Sequence, residues 1–217
     1  EIQASEPETM VSAASQRVRQ FLEDGKFVVT LGGEHSVSIG PIAACAKKWP
    51  DLSVLHIDAH SDRRDTYHDT PLSHACVMAR AQEMARDVVS VGIRSMDASE
   101  KARLIQDTVI YAHEIPTTPD WIAQAVNALH GPVYVTIDLD AFDHSVMPST
   151  GTPEPGGLSW HDMTSLLKAV AAQCQVVAFD VVELCPSPHN KAPDFAAAKL
   201  VQAFLSYIFA EESPPST

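Results

Sequence analysis

Two apolar runs in this chain end abruptly in carboxylates. Ser53-Val54-Leu55-His56-Ile57 leads straight into Asp58-Ala59-His60-Ser61-Asp62, and Val133-Tyr134-Val135-Thr136-Ile137 into Asp138-Leu139-Asp140. Near-continuous apolar runs of this length read as strands covered on both faces, which a mostly parallel sheet flanked by helices provides. Because strand side chains alternate, Asp58, His60 and Asp62 are expected to point one way, as are Asp138 and Asp140. Carboxylates crowded together repel, and burying them unpaired is costly. Divalent cations remove that cost, so the tail of each buried strand is where chemistry is expected.

The rest of the chain alternates in the same manner. Val11, Ala14, Val18, Phe21 and Leu22 recur at helical spacing over residues 8–23, with Gly25 just beyond. Phe27–Leu31 reads as a strand running into Gly32-Gly33. A helix follows from about Val37 to Lys48, and after the 53–57 strand comes a polar loop over 61–73. Residues 74–86 read as a helix, Val88–Ile93 and Val109–Ala112 as strands, and Pro119–Leu129 as a helix. Beyond the 133–137 strand lies a Pro/Gly/Thr-rich loop over 147–157. Ser159 is expected to cap a helix to about Ala172, Val176–Val182 is the sixth strand, and Asp194 is expected to cap a last helix to about Phe209. The tail Glu211–Thr217 is expected to fray. Helices between apolar strands imply an α/β fold, a three-layer α/β/α sandwich on a mostly parallel sheet. In such sheets ligands bind beyond the C-terminal strand ends. Gly32–His35, Asp58–Asp62, Asp138–Asp140 and Glu183 all lie at such ends.

The bulk numbers bound the partners. A chain of 217 residues suits one domain with a sizeable core. A formal net charge of −13 disfavours nucleic acid and anionic membrane as partners and is compatible with a cationic small molecule. Cys45, Cys76, Cys174 and Cys185 show no CxxC spacing and read as free thiols in a reducing compartment, the cytoplasm. No apolar stretch is long enough to span a membrane, and the N-terminus lacks the features of a signal peptide.

Taken in order, Gly32-Gly33-Glu34-His35-Ser36, Asp58-Ala59-His60-Ser61-Asp62, Ser73-His74-Ala75-Cys76-Val77-Met78, Asp138-Leu139-Asp140, Thr150-Gly151-Thr152-Pro153-Glu154-Pro155-Gly156-Gly157-Leu158 and Asp180-Val181-Val182-Glu183 resemble the ureohydrolase (arginase–agmatinase) family, over residues 26–209. The resemblance implies a pair of manganese ions and hydrolysis of a guanidino compound to an amine and urea. It implies that one Mn2+ takes His35, Asp58, Asp62 and Asp138. The other takes His60, Asp58, Asp138 and Asp140, with Asp58 and Asp138 bridging. It further assigns Glu183 to the guanidinium group, Asp62 to proton transfer toward the leaving amine, and His74 to a proton shuttle that also lines the substrate site. A trimer or hexamer is the family's habit. Family members ordinarily begin with a further strand, loop and helix ahead of the segment matching residue 8. The expectation is therefore one ureohydrolase domain over 1–217 lacking that segment, through missing residues rather than a naturally shorter enzyme. His144 stands where the family often has Pro, a loop change expected to matter little.

The residue types support this chemistry independently. Four carboxylates with two imidazoles form a hard donor set that suits manganese better than a thiolate zinc site. A carboxylate can grip a guanidinium fork with two parallel hydrogen bonds. His56 reads as a core histidine or one that orients a ligand. Histidines 68, 113, 130, 144, 161 and 189 read as solvated, and Trp49 and Trp121 as packing. Arg63, Arg64 and Asp65 read as a charge cluster in a mobile loop, with Arg64 tied to a carboxylate. Thr66–Ser73 lacks the Asn- and Ser-rich pattern of arginases, and the Ser73–Met78 and Thr150–Gly157 segments look like agmatinases. Agmatine, cleaved to putrescine and urea, is therefore the expected substrate. A guanidino acid such as guanidinobutyrate is the near alternative, then arginine. A single-zinc deacetylase and a non-catalytic relative are the readings from other classes.

Overall fold

The computed structural model describes residues 6–105 and 107–210. Its principal elements are α1 (Pro7–Glu23), β1 (Val28–Leu31), α2 (Ile39–Lys48), β2 (Ser53–Ile57), α3 (Val77–Gln82), β3 (Asp87–Ile93), α4 (Lys101–Leu104), β4 (Thr108–Tyr111), α5 (Trp121–Asn127), β5 (Pro132–Asp138), α6 (Trp160–Gln173), β6 (Gln175–Val182) and α7 (Ala192–Ile208). The strands form one six-stranded sheet in the order β1-β6-β5-β2-β3-β4, and every pairing is parallel.

The alternation inside each strand builds the layers. Val54 and Tyr134 pack with Val18, Leu22, Ile42, Val77 and Met78 from α1, α2 and α3. Their neighbours Leu55, Val133 and Val135 pack on the opposite face with Trp121, Leu166, Leu200 and Phe204 from α5, α6 and α7. The central strands β2 and β5 are buried at every position, as their apolar runs require. On one outer layer α1 and α2 approach closely because position 40 is Gly: a Cβ there would lie 2.5 Å from the Val11 carbonyl oxygen.

Topology positions the site. From β2 the chain moves outward to β3 and β4, then returns to pair β5 on the other side of β2. The loops leaving β2 and β5 diverge and open a crevice at the strand ends, where α/β sheets bind ligands. Register fixes what lines it. Ile57 is paired with Ile137, so Asp58 and Asp138 emerge side by side, and Asp138 is paired with Val182, immediately before Glu183.

Several sequence expectations change in detail. The helix expected over 74–86 is a 3-10 turn at His74–Cys76 followed by the short α3, which ends at Gln82. Met84 and Ala85 then bond back to the Ala81 carbonyl in a tight turn that feeds β3. Ser159 caps α6 with a reciprocal bond to Asp162. Asp194 does not cap α7; that helix starts earlier, at Ala192 after Lys191, because Pro193 suits its first turn. Asp194 instead sits in that turn and pairs with Lys191 at 3.1 Å. The short α4 had no periodicity to reveal it. All four cysteines are free. The expected fraying of 211–217 falls outside the described residues. No helix among those described is long and apolar enough to cross a membrane.

Candidate metal centre

The ligand-bearing tails do not continue as strands. β2 stops at Ile57, and the Asp58–Asp62 segment turns sharply, with Asp62 at φ 53. β5 ends at Asp138, and Asp140 lies in the 3-10 turn Leu139–Ala141. The simple alternation expected for these residues is therefore replaced by local turns, which the carboxylates themselves close. Asp58 Oδ1 accepts from the His60 N–H at 2.6 Å, and Asp138 Oδ1 from the Asp140 N–H at 2.8 Å. Side chains converge more tightly than a strand would permit.

Two clusters result. His35 Nδ1 lies 3.1 Å from Asp58 Oδ2, 3.1 Å from Asp62 Oδ2 and 3.4 Å from Asp138 Oδ2. His60 Nδ1 lies 3.0 Å from Asp140 Oδ2 and 3.6 Å from Asp58 Oδ1. The two oxygens of Asp58 thus face different histidines. Asp138 turns one oxygen toward the His35 cluster and accepts the Asp140 N–H with the other. His56 joins the first cluster, donor atoms within 4.8 Å of one another. Its Nε2 lies 2.7 Å from Asp58 Oδ2, the ligand-orienting alternative among the two readings of this histidine.

The hydrogen bonds of His35 test whether a cation fits. Its Nε2 is 2.9 Å from Thr136 Oγ1, and Thr136 donates its only hydroxyl proton to Asp180 Oδ1 at 2.6 Å. Thr136 must therefore accept from His35 Nε2–H, which leaves Nδ1 as a bare lone pair aimed at three carboxylates. That buried Nδ1 has no hydrogen-bond partner. A positive charge between the four groups satisfies them all. Without it, protons must substitute. Burial lowers the affinity of His35 for a proton, but Asp138, Asp58 and Asp62 outweigh this and raise it well above the usual imidazole range. His60 is likewise pushed up to about 11, against burial, by Asp140 and Asp58. Burial and the neighbouring Asp58 push Asp62 up to about 6 and Asp138 well above the carboxylate range. A set that needs this many shared protons to be tolerable is a set built for cations. Four aspartates carry −4, which two dications match at +4.

Above the clusters is a cavity of about 290 Å³, lined among others by Asp62, Arg64, Tyr67, His74, Asp97 and Glu183. It suits a small extended molecule. Glu183 has left-handed backbone (φ 65), unusual for a residue with a side chain. The strain is held by two contacts: its N–H donates to the Gly33 carbonyl, and its Oε1 accepts from the His35 N–H at 2.8 Å. His74 is half-exposed, 3.5 Å from Glu34, and edge-on to Tyr67. The hydrogen bond to Glu34 raises its proton affinity.

The arginase family profile matches residues 1–206. The chain belongs to the arginase family. The family acts on guanidino carbon–nitrogen bonds with a binuclear metal centre, and this member is a hydrolase of that kind. It is 36% identical over 205 residues to the N(1)-aminopropylagmatine ureohydrolase of Synechocystis sp., covering 92% of this chain and 67% of that protein. It is also 36% identical over 193 residues to the agmatinase of Bacillus anthracis, covering 87% and 66%. Among solved structures, the agmatine ureohydrolase of Thermoplasma volcanium superposes with a TM-score of 0.87 at 30% identity, covering 96% of this chain and 71% of that one. The chain thus spans about two thirds of the length of these curated relatives.

Within this arginase-family site, the loop following Asp62 differs from expectation. Arg63 is not part of a mobile charge cluster. Its side chain is fully buried and its guanidinium bonds Asp107, the Ser61 carbonyl and Ser90. Arg64 does meet a carboxylate, Asp97 at 3.5 Å, and lies over the Tyr67 ring. Asp65 is exposed and pairs with Arg103. Histidines 68, 113, 130, 144, 161 and 189 are exposed, as expected.

Residues that the sequence reading missed surround the clusters. Arg94 reaches under the centre, where its five guanidinium hydrogens serve six carbonyls, Gly92, Asp140, Ala141, Phe142, Glu154 and Pro155, the three on Nη2 sharing two hydrogens. Gly157 permits this, since a Cβ there would come within 2.6 Å of Arg94 Nη2. Thr136, Asp180 and Ser90 are fully buried. Each interrupts an otherwise apolar strand, and with His56 they form a polar seam through the sheet. That pattern was legible as a signal: a polar residue in a strand covered on both faces needs a partner.

Proposed function

We propose that this protein is a dimanganese agmatinase, hydrolysing agmatine to putrescine and urea. The observation that carries the reading is the pair of histidine nitrogens, His35 Nδ1 and His60 Nδ1, each facing its own carboxylates and joined through the two oxygens of Asp58. In this reading His35, Asp58, Asp62 and Asp138 would hold one Mn2+, and His60, Asp58, Asp138 and Asp140 the other. Held there, a manganese pair would supply an acidified water as the nucleophile.

The chain's own residues do the rest. Glu183, fixed by the His35 N–H on one oxygen, keeps its other oxygen free for the guanidinium fork. Holding that planar head still supplies orientation, the main requirement for attack on a poor electrophile. Asp62, which lines the pocket, is the group this reading assigns to carry a proton to the leaving amine. His74, whose proton affinity Glu34 raises, exchanges protons with solvent at the pocket mouth. Arg64, paired with Asp97, leaves the mouth tolerant of a second amine. The similarity to aminopropylagmatine ureohydrolases supports N(1)-aminopropylagmatine as a second candidate, with the same head group and a longer cationic tail. Free thiols support the cytoplasm as the setting, and the family's habit supports a homo-oligomer.

Urea release with saturating manganese, measured across agmatine, N(1)-aminopropylagmatine, arginine and guanidinobutyrate, tests this. Agmatine is expected to give the highest kcat/KM. A preference above tenfold for arginine or a guanidino acid would refute the specificity, and no urea from any of them would refute the activity.

A further inference from the structure

We propose that Arg63 is a positioning residue for the metal centre, acting through a one-way chain of buried hydrogen bonds, Arg63 to Ser90 to His56 to Asp58. The direction follows from donor counting. Arg63 has no acceptor atom. Its Nη2 carries two hydrogens, one to Asp107 Oδ2 at 2.6 Å and one to Ser90 Oγ at 2.7 Å. Ser90 Oγ must therefore accept from Arg63, and its single hydroxyl proton is left for the only other partner in reach, His56 Nδ1 at 3.0 Å. That makes His56 Nδ1 an acceptor. The proton of the neutral ring then sits on Nε2, which donates to Asp58 Oδ2 at 2.7 Å.

The far end of the chain demands the same arrangement. A bare Nε2 lone pair 2.7 Å from a carboxylate oxygen would be repulsive, so Asp58 by itself also selects Nε2–H. Two independent constraints agree, and every member is essentially solvent-free: Arg63 is 1% exposed, and Ser90, His56 and Asp58 are 0% exposed. In so dry a setting a wrong tautomer has no water to repair it.

Arg63 is itself anchored. Its Nε and Nη2 both donate to Asp107, which also accepts from Gln82 Nε2 at 2.7 Å, and its Nη1 donates to the Ser61 carbonyl at 2.6 Å. The Arg63 N–H and the Ser61 hydroxyl both go to buried Glu100. The segment carrying His60 and Asp62 is thereby tied to the strand next door, and the same guanidinium sets the rotamer of the carboxylate that faces both histidine clusters. His35 receives parallel support from Thr136 and Asp180, so each side of the centre is fixed from behind by its own polar chain. Partners that orient a ligand in this manner are typically worth about 10- to 100-fold in metal affinity.

The consequence for affinity rests on the metal reading of the site, whereas the direction of the chain does not. The experiment therefore has two arms. Long-range 1H–15N spectra of the metal-free, full-length protein read the His56 tautomer, assigned with His56→Gln. Nε2 protonated and Nδ1 bare is expected; the reverse tautomer, or an even mixture, overturns the chain. Manganese titration by calorimetry reads the consequence. Arg63→Met strips buried Asp107 of its counter-ion and risks unfolding, so Ser90→Ala carries this arm, expected to weaken manganese about tenfold and, through the buried Arg63 Nη2–H and His56 Nδ1 it leaves unpaired, to lower the Tm of the metal-free protein without unfolding it. Undiminished affinity in Ser90→Ala refutes the positioning role. His56→Gln, whose amide can accept from Ser90 and donate to Asp58, is expected to retain more affinity than His56→Leu. Equal losses in those two, tracking a fall in Tm, would assign the chain to packing alone. If the wild-type protein bound no manganese, the proposed function would fail while the tautomer measurement still decided the chain.

Discussion

Arg94→Lys should separate the two halves of the metal centre. The guanidinium of Arg94 makes six contacts to carbonyl oxygens, the shortest being Nη2 to Asp140 at 2.7 Å and to Glu154 at 2.8 Å. The guanidinium has five hydrogens, so the three Nη2 contacts share two of them, and an ammonium with three hydrogens loses two donors. The Pro155 carbonyl lies in an exposed setting where water can replace a donor, and the partly buried carbonyls left short of a partner cost about 1 to 2 kcal/mol in all. The loss is local to the Asp140 turn and the 152–157 loop, which also brings Thr152 Oγ1 to within 3.2 Å of Asp140 Oδ2. Arg94 makes no hydrogen bond to the His35 cluster, and lysine keeps the positive charge that Arg94 presents to Asp58. Manganese titration should therefore show one of the two sites losing about tenfold in affinity while the other holds, and chemical denaturation of the metal-free protein should show a loss of about 1 to 2 kcal/mol. Equal weakening of both sites, or no change in either, would refute the view that Arg94 supports the His60–Asp140 half alone.

Three further perturbations test other parts of the site. Glu183→Gln keeps the shape but removes the charge that meets the guanidinium, and should cost about 3 kcal/mol, roughly a hundredfold in kcat/KM, with manganese content unchanged; loss of metal in step with activity would show that Glu183 is structural. Glu34→Gln removes the hydrogen bond that raises the proton affinity of His74. A raised imidazole keeps its proton to higher pH, so the limb of the kcat/KM profile that His74 governs should move to lower pH in the variant, measured at saturating manganese; an unmoved limb would remove His74 from proton transfer. Thr136→Val leaves His35 Nε2–H without its acceptor and Asp180 Oδ1 without its donor, and should weaken manganese at the His35 site about 10- to 100-fold; unaltered binding would contradict the tautomer assigned to His35.

Much of this architecture was legible from the sequence because burial imposes strong patterns. Strands hidden on both faces are largely apolar, so β2 and β5 and the carboxylates ending them stood out. Helix α6 was readable from Ser159, a residue type that suits a helix start, and the structure adds Asp162 as its reciprocal partner. What escaped notice depends on long-range geometry. Whether Arg63 is a loop charge or a buried anchor is decided by Asp107, 44 residues away. Arg94 binds backbone carbonyls alone, and a carbonyl has no signature in a sequence. The convergence of Asp58, His60 and Asp62 was anticipated from strand alternation but is produced by a tight turn, because the left-handed backbone at Asp62 aims its carboxylate back at His35. Asp194 was read as a cap because its chemistry suits one, while Pro193 moved the helix start ahead of it.

The central claim is a pair of cations sharing Asp58, and counting manganese per chain in the wild-type protein and in Asp58→Asn, beside Asp62→Asn and Asp140→Asn, tests it most directly. The wild-type protein should bind two ions, Asp62→Asn and Asp140→Asn should each lose one preferentially, and Asp58→Asn should weaken both. A single tightly held zinc in the wild-type protein, or an Asp58→Asn variant in which only one of two ions is affected, would contradict it.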